Sequence, residues 1–111
     1  MAAEAYHEPY EQLTANTRDL HRAIRSLMEE LEAIDWYQQR IDATADEALR
    51  VILAHNRDEE KEHASMVLEW IRRHDTAFDA HLKKYLFTTL PITERTDEEE
   101  PKPAGGKRWN G

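Results

Sequence analysis

The sequence has 111 residues, the size of one small domain, and a formal net charge of -8 from 15 Lys and Arg against 23 Asp and Glu. A domain of this length buries only about two-thirds of its unfolded surface, so we expect it to gain stability as an oligomer. The acidic balance disfavours nucleic acid and anionic membranes as partners and favours cations. Because there is no cysteine, disulfides, thiolate catalysis and iron–sulfur or Cys-type zinc sites are excluded, and carboxylate and imidazole are the expected metal ligands.

Membrane and export signals are not visible in the sequence. No stretch approaches the roughly 20 apolar residues that a membrane-spanning helix needs. The first residues, MAAEAYHEPYEQ, lack the basic and apolar regions of a signal peptide. We therefore expect a cytoplasmic protein with no membrane partner.

Glycine and proline positions predict that most of the chain is helical. All three glycines lie in the last seven residues, and Pro9 is the only proline before Pro91. A first helix is predicted from about Glu8 to Ile41, with Pro9 in its first turn, because apolar residues recur at helical spacing. These apolar residues are Leu13, Leu20, Ile24, Leu27, Leu31 and Ile34.

A turn and a second helix follow. Thr44 is the predicted N-cap, with Glu47 three residues later as its capping-box partner, and the helix is expected to end near His74. Such a short connection makes the two helices antiparallel neighbours. The apolar stripe of the second helix consists of Leu49, Ile52, Leu53, Val67, Trp70 and Ile71.

A third, shorter helix is predicted after Asp75 or Thr76, either of which can cap it, and we expect Pro91 to end it. Residues 94–111 are acidic and then rich in Pro, Gly and Lys, a composition typical of a disordered tail. The predicted fold is therefore all-α: an antiparallel two-helix hairpin plus a short C-terminal helix over residues 1–93, followed by that tail.

Charged residues interrupt both apolar stripes at matching places. At about 100° per residue, Glu60 and His63 fall within about 40° of Leu49, in the middle of the second stripe. Glu30 falls on the stripe of the first helix by the same construction. An ionised carboxylate buried there without a partner would cost several kcal/mol. A bound cation compensates that cost, and a Glu-x-x-His pair presents both ligands from one helical face.

These residues form half of a known kind of site. A complete di-iron bundle takes two lone Glu residues and two Glu-x-x-His pairs from four helices. A twofold dimer of hairpins would supply the missing half and complete a ferritin-like four-helix bundle. Two alternatives remain: a buried ion-pair network in a plain helical interaction protein, with Arg57 or Lys61 as partner, and a zinc, calcium or manganese site that only staples an oligomer.

Other residues of these types carry less weight. Tyr37 follows Glu30 by two turns on the same side, where it could reach a ligand or simply pack. Glu29 and Glu32 point outward with Trp36 on the same face, as solvated acids or as a second, outer cation site. Glu4 and His7 repeat the spacing near the terminus, and Asn56 is interpreted as a core polar group. The remaining histidines, interpreted as surface or packing residues, are His21, His55, His74 and His81.

The blocks MEELEAIDWYQQRIDA and ILAHNRDEEKEHASMVLEWIRR, with the HEP start and the YLFT-x-x-PI segment, resemble the encapsulated ferritins, the ferritin-like cargo of encapsulin nanocompartments. The resemblance implies ferroxidase ligands at Glu30, Glu60 and His63 from each of two chains, with Tyr37 beside the site. Glu29, Glu32 and Trp36 match the place where metal enters in that family. It also implies a ring of ten subunits made of five metal-bridged dimers.

The function expected from this resemblance is a ferroxidase. Two Fe(II) ions per dimer would be oxidised to Fe(III) by dioxygen or peroxide, and the iron would pass to a mineral store inside an encapsulin shell. Family members usually end in a short apolar targeting peptide, whereas this chain ends GGKRWNG. We therefore expect either a shortened sequence or a different mode of docking to the shell.

Overall fold

The computed structural model describes residues 6–94. All regular elements in this range are helical, which confirms the predicted all-α hairpin with a short third helix. The helices are α1 (Ala15–Ala43), α2 (Glu47–His74) and α3 (Thr76–Tyr85), with single 3-10 turns at Tyr10–Gln12 and Ile92–Glu94. Except for Glu94, the predicted disordered tail lies outside the described residues.

The first helix starts later than the sequence predicted. It begins at Ala15 rather than near Glu8, because Thr14 is extended and its side chain accepts a hydrogen bond from the backbone N–H of Thr17. Pro9 instead precedes the separate 3-10 turn. An N-cap residue satisfies one of the otherwise unpaired N–H groups of the first turn, and this fixes where a helix starts.

The N-cap of α2 also differs from the prediction. Asp46, not Thr44, accepts a hydrogen bond from the backbone N–H of Leu49, at 2.8 Å. Thr44 accepts one from the N–H of Asp46, so it shapes the turn before the helix. Arg50 closes the hairpin by donating to the backbone carbonyls of Ile41 and Thr44.

The pairs that join α1 to α2 show that the helices are antiparallel. From the middle of α1 towards its end, Glu30 lies beside His63, Gln38 accepts a hydrogen bond from Arg57, and Ile41 accepts one from Arg50. As the numbers rise along α1 they fall along α2. This arrangement, predicted from the short connection, brings the middles of both helices together.

Few apolar side chains are covered in the single chain. Among residues 6–94, the buried hydrophobic residues are Ile41, Ala64 and Ile71. Several members of the two apolar stripes are exposed instead, including Ile24, Leu31, Leu49 and Ile52. A stripe that a two-helix hairpin leaves exposed is available to another helical surface.

The chain divides into two compact units, one ending at Trp70 and the other beginning at Ile71, within α2. In the second unit Asp75, one of the two predicted caps, caps α3 by accepting a hydrogen bond from the N–H of Phe78. Asp79 binds the buried Arg72 and also Lys83, whose Nζ lies 3.0 Å away. Although burial opposes it, the ion pairs with Lys83 and Arg72 lower the pKa of Asp79.

Helix α3 ends before Pro91, contrary to the prediction. Its last residue is Tyr85, and Leu86 follows in an extended conformation. Phe87 then adopts a φ of 60°, in the left-handed region that residues with a Cβ seldom occupy. The backbone has thus left the helix several residues before the proline.

No helix within residues 6–94 is both long and apolar enough to span a membrane.

Candidate metal centre

Two helices bring three potential ligands to one place. Glu30 lies near the middle of α1, and Glu60 and His63 lie one turn apart on α2, where residues three apart share a face. One ligand atom from each side chain can be chosen so that all three atoms lie within 4.8 Å of one another. The antiparallel pairing of α1 and α2 therefore assembles the cluster predicted from the two stripes.

The imidazole lies between the two carboxylates. His63 Nδ1 is hydrogen-bonded to Glu60 Oε1 at 2.9 Å and lies 3.5 Å from Glu30 Oε2. The side chain of His63 is 45% exposed, against 25% for Glu30 and 24% for Glu60. The cluster is therefore sheltered on the carboxylate side and open to solvent at the imidazole.

The two carboxylates of the cluster have only one potentially cationic neighbour within it, the imidazole of His63. The neighbouring carboxylate of Glu60, followed by burial, raises the pKa of Glu30. Glu30 and then His63 lower the pKa of Glu60. The hydrogen bond to Glu60 and the charge of Glu30 raise the pKa of His63. Without a cation, protonation is therefore easier at Glu30 and at His63 than at the free side chains.

One oxygen of the cluster lacks a hydrogen-bond partner. Glu30 Oε2 is inaccessible to solvent, and its 3.5 Å separation from His63 Nδ1 leaves it outside hydrogen-bonding distance. Arg57 binds Asp58 and Gln38, and Lys61 pairs with Asp58, so neither supplies the ion pair considered as an alternative. Two carboxylates and an imidazole, with an unsatisfied oxygen between them, suit a cation such as iron or manganese.

The other predicted site residues are not part of this cluster. Tyr37 is half-buried on α1, and its ring centroid lies 5.7 Å from the Arg40 guanidinium carbon. Glu29, Glu32 and Trp36 are exposed on α1. Within residues 6–94, Glu30, Glu60 and His63 form the one group of three or more such ligands. The proposed roles of Tyr37 and of the outer residues stay predictions.

The sequence did not predict a groove that lies about one helical turn from the cluster. This open groove has a volume of about 410 Å³, and its lining includes Ala23, Ser26, Met66, Val67 and Trp70. Ala23 and Ser26 precede Glu30 by seven and four residues, and Val67 and Trp70 follow His63 by the same intervals. The small residues Ala23 and Ser26 on α1, set against the larger Val67 and Trp70 on α2, were the signal that could have revealed it.

Comparison with known proteins places the chain in a family. Residues 5–89 match the family described as EncFtn-like. The chain is 60% identical to an encapsulated ferritin-like protein of Rhodospirillum rubrum over 92 residues, which are 83% of this chain and 66% of that protein. It is 55% identical to a ferritin-like protein of Thermotoga maritima over 96 residues, 86% of this chain and 84% of that protein. The chain thus spans slightly less than two-thirds of the Rhodospirillum protein.

Two further similarities concern a cargo protein and a solved structure. An encapsulin nanocompartment cargo protein of Myxococcus xanthus is 40% identical over 88 residues, 78% of this chain and 68% of that protein. The crystal structure of a Nitrosomonas europaea protein superposes with a TM-score of 0.77 and 64% sequence identity. The match covers 80% of this chain and 98% of the Nitrosomonas chain. From the extent of these matches, the chain belongs to the encapsulated ferritin-like family.

Proposed function

We propose that the protein is a ferroxidase that oxidises Fe(II) to Fe(III) at a di-iron site formed by two copies of the chain. The observation that carries this proposal is the convergence of Glu30, Glu60 and His63 around a carboxylate oxygen that has no hydrogen-bond partner. A cation resolves the unfavourable charge of this cluster. The choice of iron rests on the hard oxygen donors together with membership of a ferritin-like family.

The second copy is proposed because one chain supplies half of the ligands and leaves its apolar stripes uncovered. Three ligands suit one half of a site that in four-helix di-iron proteins takes two lone Glu residues and two Glu-x-x-His pairs. The helices that carry the ligands also expose apolar residues such as Leu31 and Ile52. A twofold dimer would complete the ligand set and cover the apolar stripes, because an isologous interface places each cluster opposite its own copy.

In this dimer the residues have distinct tasks. The carboxylates of Glu30 and Glu60 would hold and neutralise the two Fe(II) ions, which are the substrate, and His63 would add a nitrogen donor from each chain. Each Fe(II) gives one electron to the oxidant, dioxygen or peroxide. The protein contributes fixed donor positions and a lowered cost of the extra positive charge on Fe(III). Fe(III) then leaves for a mineral store.

Residues around the cluster would serve the same reaction. Tyr37, two turns beyond Glu30 on the same side of α1, is proposed to hold a hydrogen bond beside the ligands. Glu29, Glu32 and Trp36 are proposed to attract metal where it enters the assembly, because exposed carboxylates concentrate cations near them. Both assignments rest on the sequence resemblance and on the position of these residues along α1.

The cellular setting is proposed from the relatives. One relative is named an encapsulated ferritin-like protein and another an encapsulin nanocompartment cargo protein. We propose that this chain likewise associates with an encapsulin shell in the cytoplasm and supplies iron to mineral inside it. A ring of ten subunits built from five dimers is the proposed assembly. A ring has no closed cavity, so storage depends on the shell.

Aerobic titration of the metal-free full chain with Fe(II) tests the ferroxidase. We expect ferric absorbance to rise rapidly and to saturate near two irons per dimer, while mass photometry shows larger particles. Glu60→Ala and His63→Ala should reduce oxidation to the buffer background, because each removes a ligand from both halves of the site.

Matched variants separate the site from general acidity. Glu62→Ala and His55→Ala remove the same residue types from exposed positions of α2, and both should oxidise iron as the unchanged protein does. Undiminished oxidation by Glu60→Ala would overturn the assignment. Metal-dependent growth in particle size without oxidation would instead identify a metal-stapled oligomer.

A further inference from the structure

A methionine that lines the groove lies about one helical turn from a residue of the metal cluster. Met66 follows His63 by three residues on α2, a rise of about 4.5 Å and a turn of about 60° around the helix axis. Its side chain lines the groove with Val67 and Trp70, and the residue is 58% exposed in the single chain. Its side chain is therefore accessible in the single chain, about one helical turn from His63.

We propose that Met66 is a modification site at which hydrogen peroxide released by the metal centre is captured as methionine sulfoxide. The inference rests on the proposed ferroxidase activity and assigns to this site a product acceptor that the oxidation itself does not need. The oxidant of Met66 is hydrogen peroxide formed within the assembly rather than peroxide that arrives from bulk solvent.

The reactions balance without another reagent. Two Fe(II) ions lose one electron each, and dioxygen takes both electrons and two protons to become hydrogen peroxide. The Met66 sulfur then attacks one peroxide oxygen: an S–O bond forms, the O–O bond breaks, and the second oxygen leaves as water. The sulfur is oxidised by two electrons and the peroxide is reduced by two. Reductases that act on methionine sulfoxide can restore the thioether.

The chain contains its own control for this reaction. Met28 is 51% exposed, close to the value for Met66, and lies only two residues from Glu30. Two residues along a helix turn it about 160° away from Glu30, so it faces away from the cluster. Met28 also adjoins Glu29, so iron held loosely by surface acids would oxidise Met28 as well. Preferential oxidation of Met66 over Met28 therefore indicates peroxide that was released by the cluster.

Met28 and Met66 are similarly exposed, but their sulfur atoms differ in local contacts. Arg25 Nη1 contacts the Met28 sulfur at 4.0 Å, which can change its intrinsic reactivity. The comparison must therefore be a ratio of ratios. Peroxide added to the metal-free protein gives the intrinsic Met66-to-Met28 ratio, and any excess during iron oxidation measures local delivery.

The experiment oxidises Fe(II) aerobically with the full chain, with catalase present to destroy peroxide that escapes. Ferric absorbance is followed, and sulfoxide at each methionine is then quantified by peptide mass spectrometry. A parallel sample without iron or catalase receives hydrogen peroxide. We expect the Met66-to-Met28 sulfoxide ratio to be about fivefold higher during iron oxidation than with added peroxide, because the oxidant is produced beside Met66.

Each outcome decides the inference. Glu60→Ala should abolish the excess at Met66, since it removes a ligand. Equal ratios in the two samples, or no sulfoxide at Met66 in the presence of catalase while iron is oxidised, would overturn the role of Met66 and leave the ferroxidase intact. A flat ferric absorbance trace would overturn the ferroxidase, and this inference with it.

Discussion

His63 Nδ1 lies 3.5 Å from Glu30 Oε2, which is close enough for an ion pair but too far for a hydrogen bond. Glu60, one turn before His63, takes the shorter contact of 2.9 Å. The imidazole is thus shared unequally between two carboxylates. A cation between all three side chains would satisfy the oxygen that His63 leaves without a partner.

Metal binding should depend on pH through this cluster. Glu60 and Glu30 raise the pKa of His63, and Glu60 raises that of Glu30. A cation must displace the protons that these shifts favour, so its affinity should fall as the pH decreases through the raised pKa of His63. Binding should also release protons.

Calorimetry with Co(II) measures both effects without oxidation. Titrations in two buffers of different ionisation enthalpy give the number of protons released, and repeating them between about pH 6 and pH 8 covers the range in which histidine titrates. His55→Ala serves as the control and should leave the pH dependence unchanged. An affinity that is constant across this range would contradict the involvement of His63.

Tyr37→Phe should separate positioning from ligation. If the hydroxyl holds one hydrogen bond beside the ligands, its loss costs about 1 kcal/mol in the transition state and slows Fe(II) oxidation by roughly fivefold. The number of Co(II) ions bound should not change. Stopped-flow absorbance measures the rate, and an unchanged rate would mean that Tyr37 only packs.

Asp79→Asn should destabilise the second unit. The carboxylate binds Lys83 and the buried Arg72, so its loss leaves Arg72 without this charged partner and costs about 2 kcal/mol of unfolding free energy. The pKa of Asp79 is lowered on folding. Its stabilisation is therefore complete above the unfolded pKa and is lost as the pH falls through the lowered folded value.

Urea unfolding of the metal-free protein at neutral and acidic pH tests this expectation. Asp58→Asn is the control, because that carboxylate is 60% exposed in its pairs with Arg57 and Lys61, and exposed pairs contribute little. The Asn variant at position 79 should lose less stability on acidification than the unchanged protein. Equal losses in the two proteins would show that Asp79 does not link folding to pH.

The start of α2 provides a test of the corrected N-cap. Asp46→Ala should lower the unfolding free energy by about 1 kcal/mol, because it removes the acceptor for the Leu49 N–H. Thr44→Ala removes a longer hydrogen bond within the turn and should cost less. Denaturant titration of both variants measures the difference. A larger loss for Thr44→Ala would favour the cap predicted from the sequence.

The sequence by itself determined the helical class, the hairpin and the three ligand candidates. The short connection predicted the hairpin, and helical periodicity predicted the ligand candidates, because a charged residue within an apolar stripe is recognisable wherever the stripe runs on a regular helix. Glu30, Glu60 and His63 were placed by angle, and α1 and α2 do carry them to one cluster. The N-cap of α3 was narrowed to Asp75 or Thr76, and the structure shows Asp75 in that position.

Only the tertiary structure decided the boundaries and the local environment. Thr44 and Asp46 are both good caps by residue type, and backbone geometry selected Asp46. Leu86 is already extended and Phe87 has a positive φ, so the helix ends before Pro91 can act. The unpartnered oxygen of Glu30, the unequal sharing of His63 and the groove beside Met66 depend on distances between α1 and α2. A periodic pattern fixes the direction of a side chain around its own helix, but not its separation from a side chain on another.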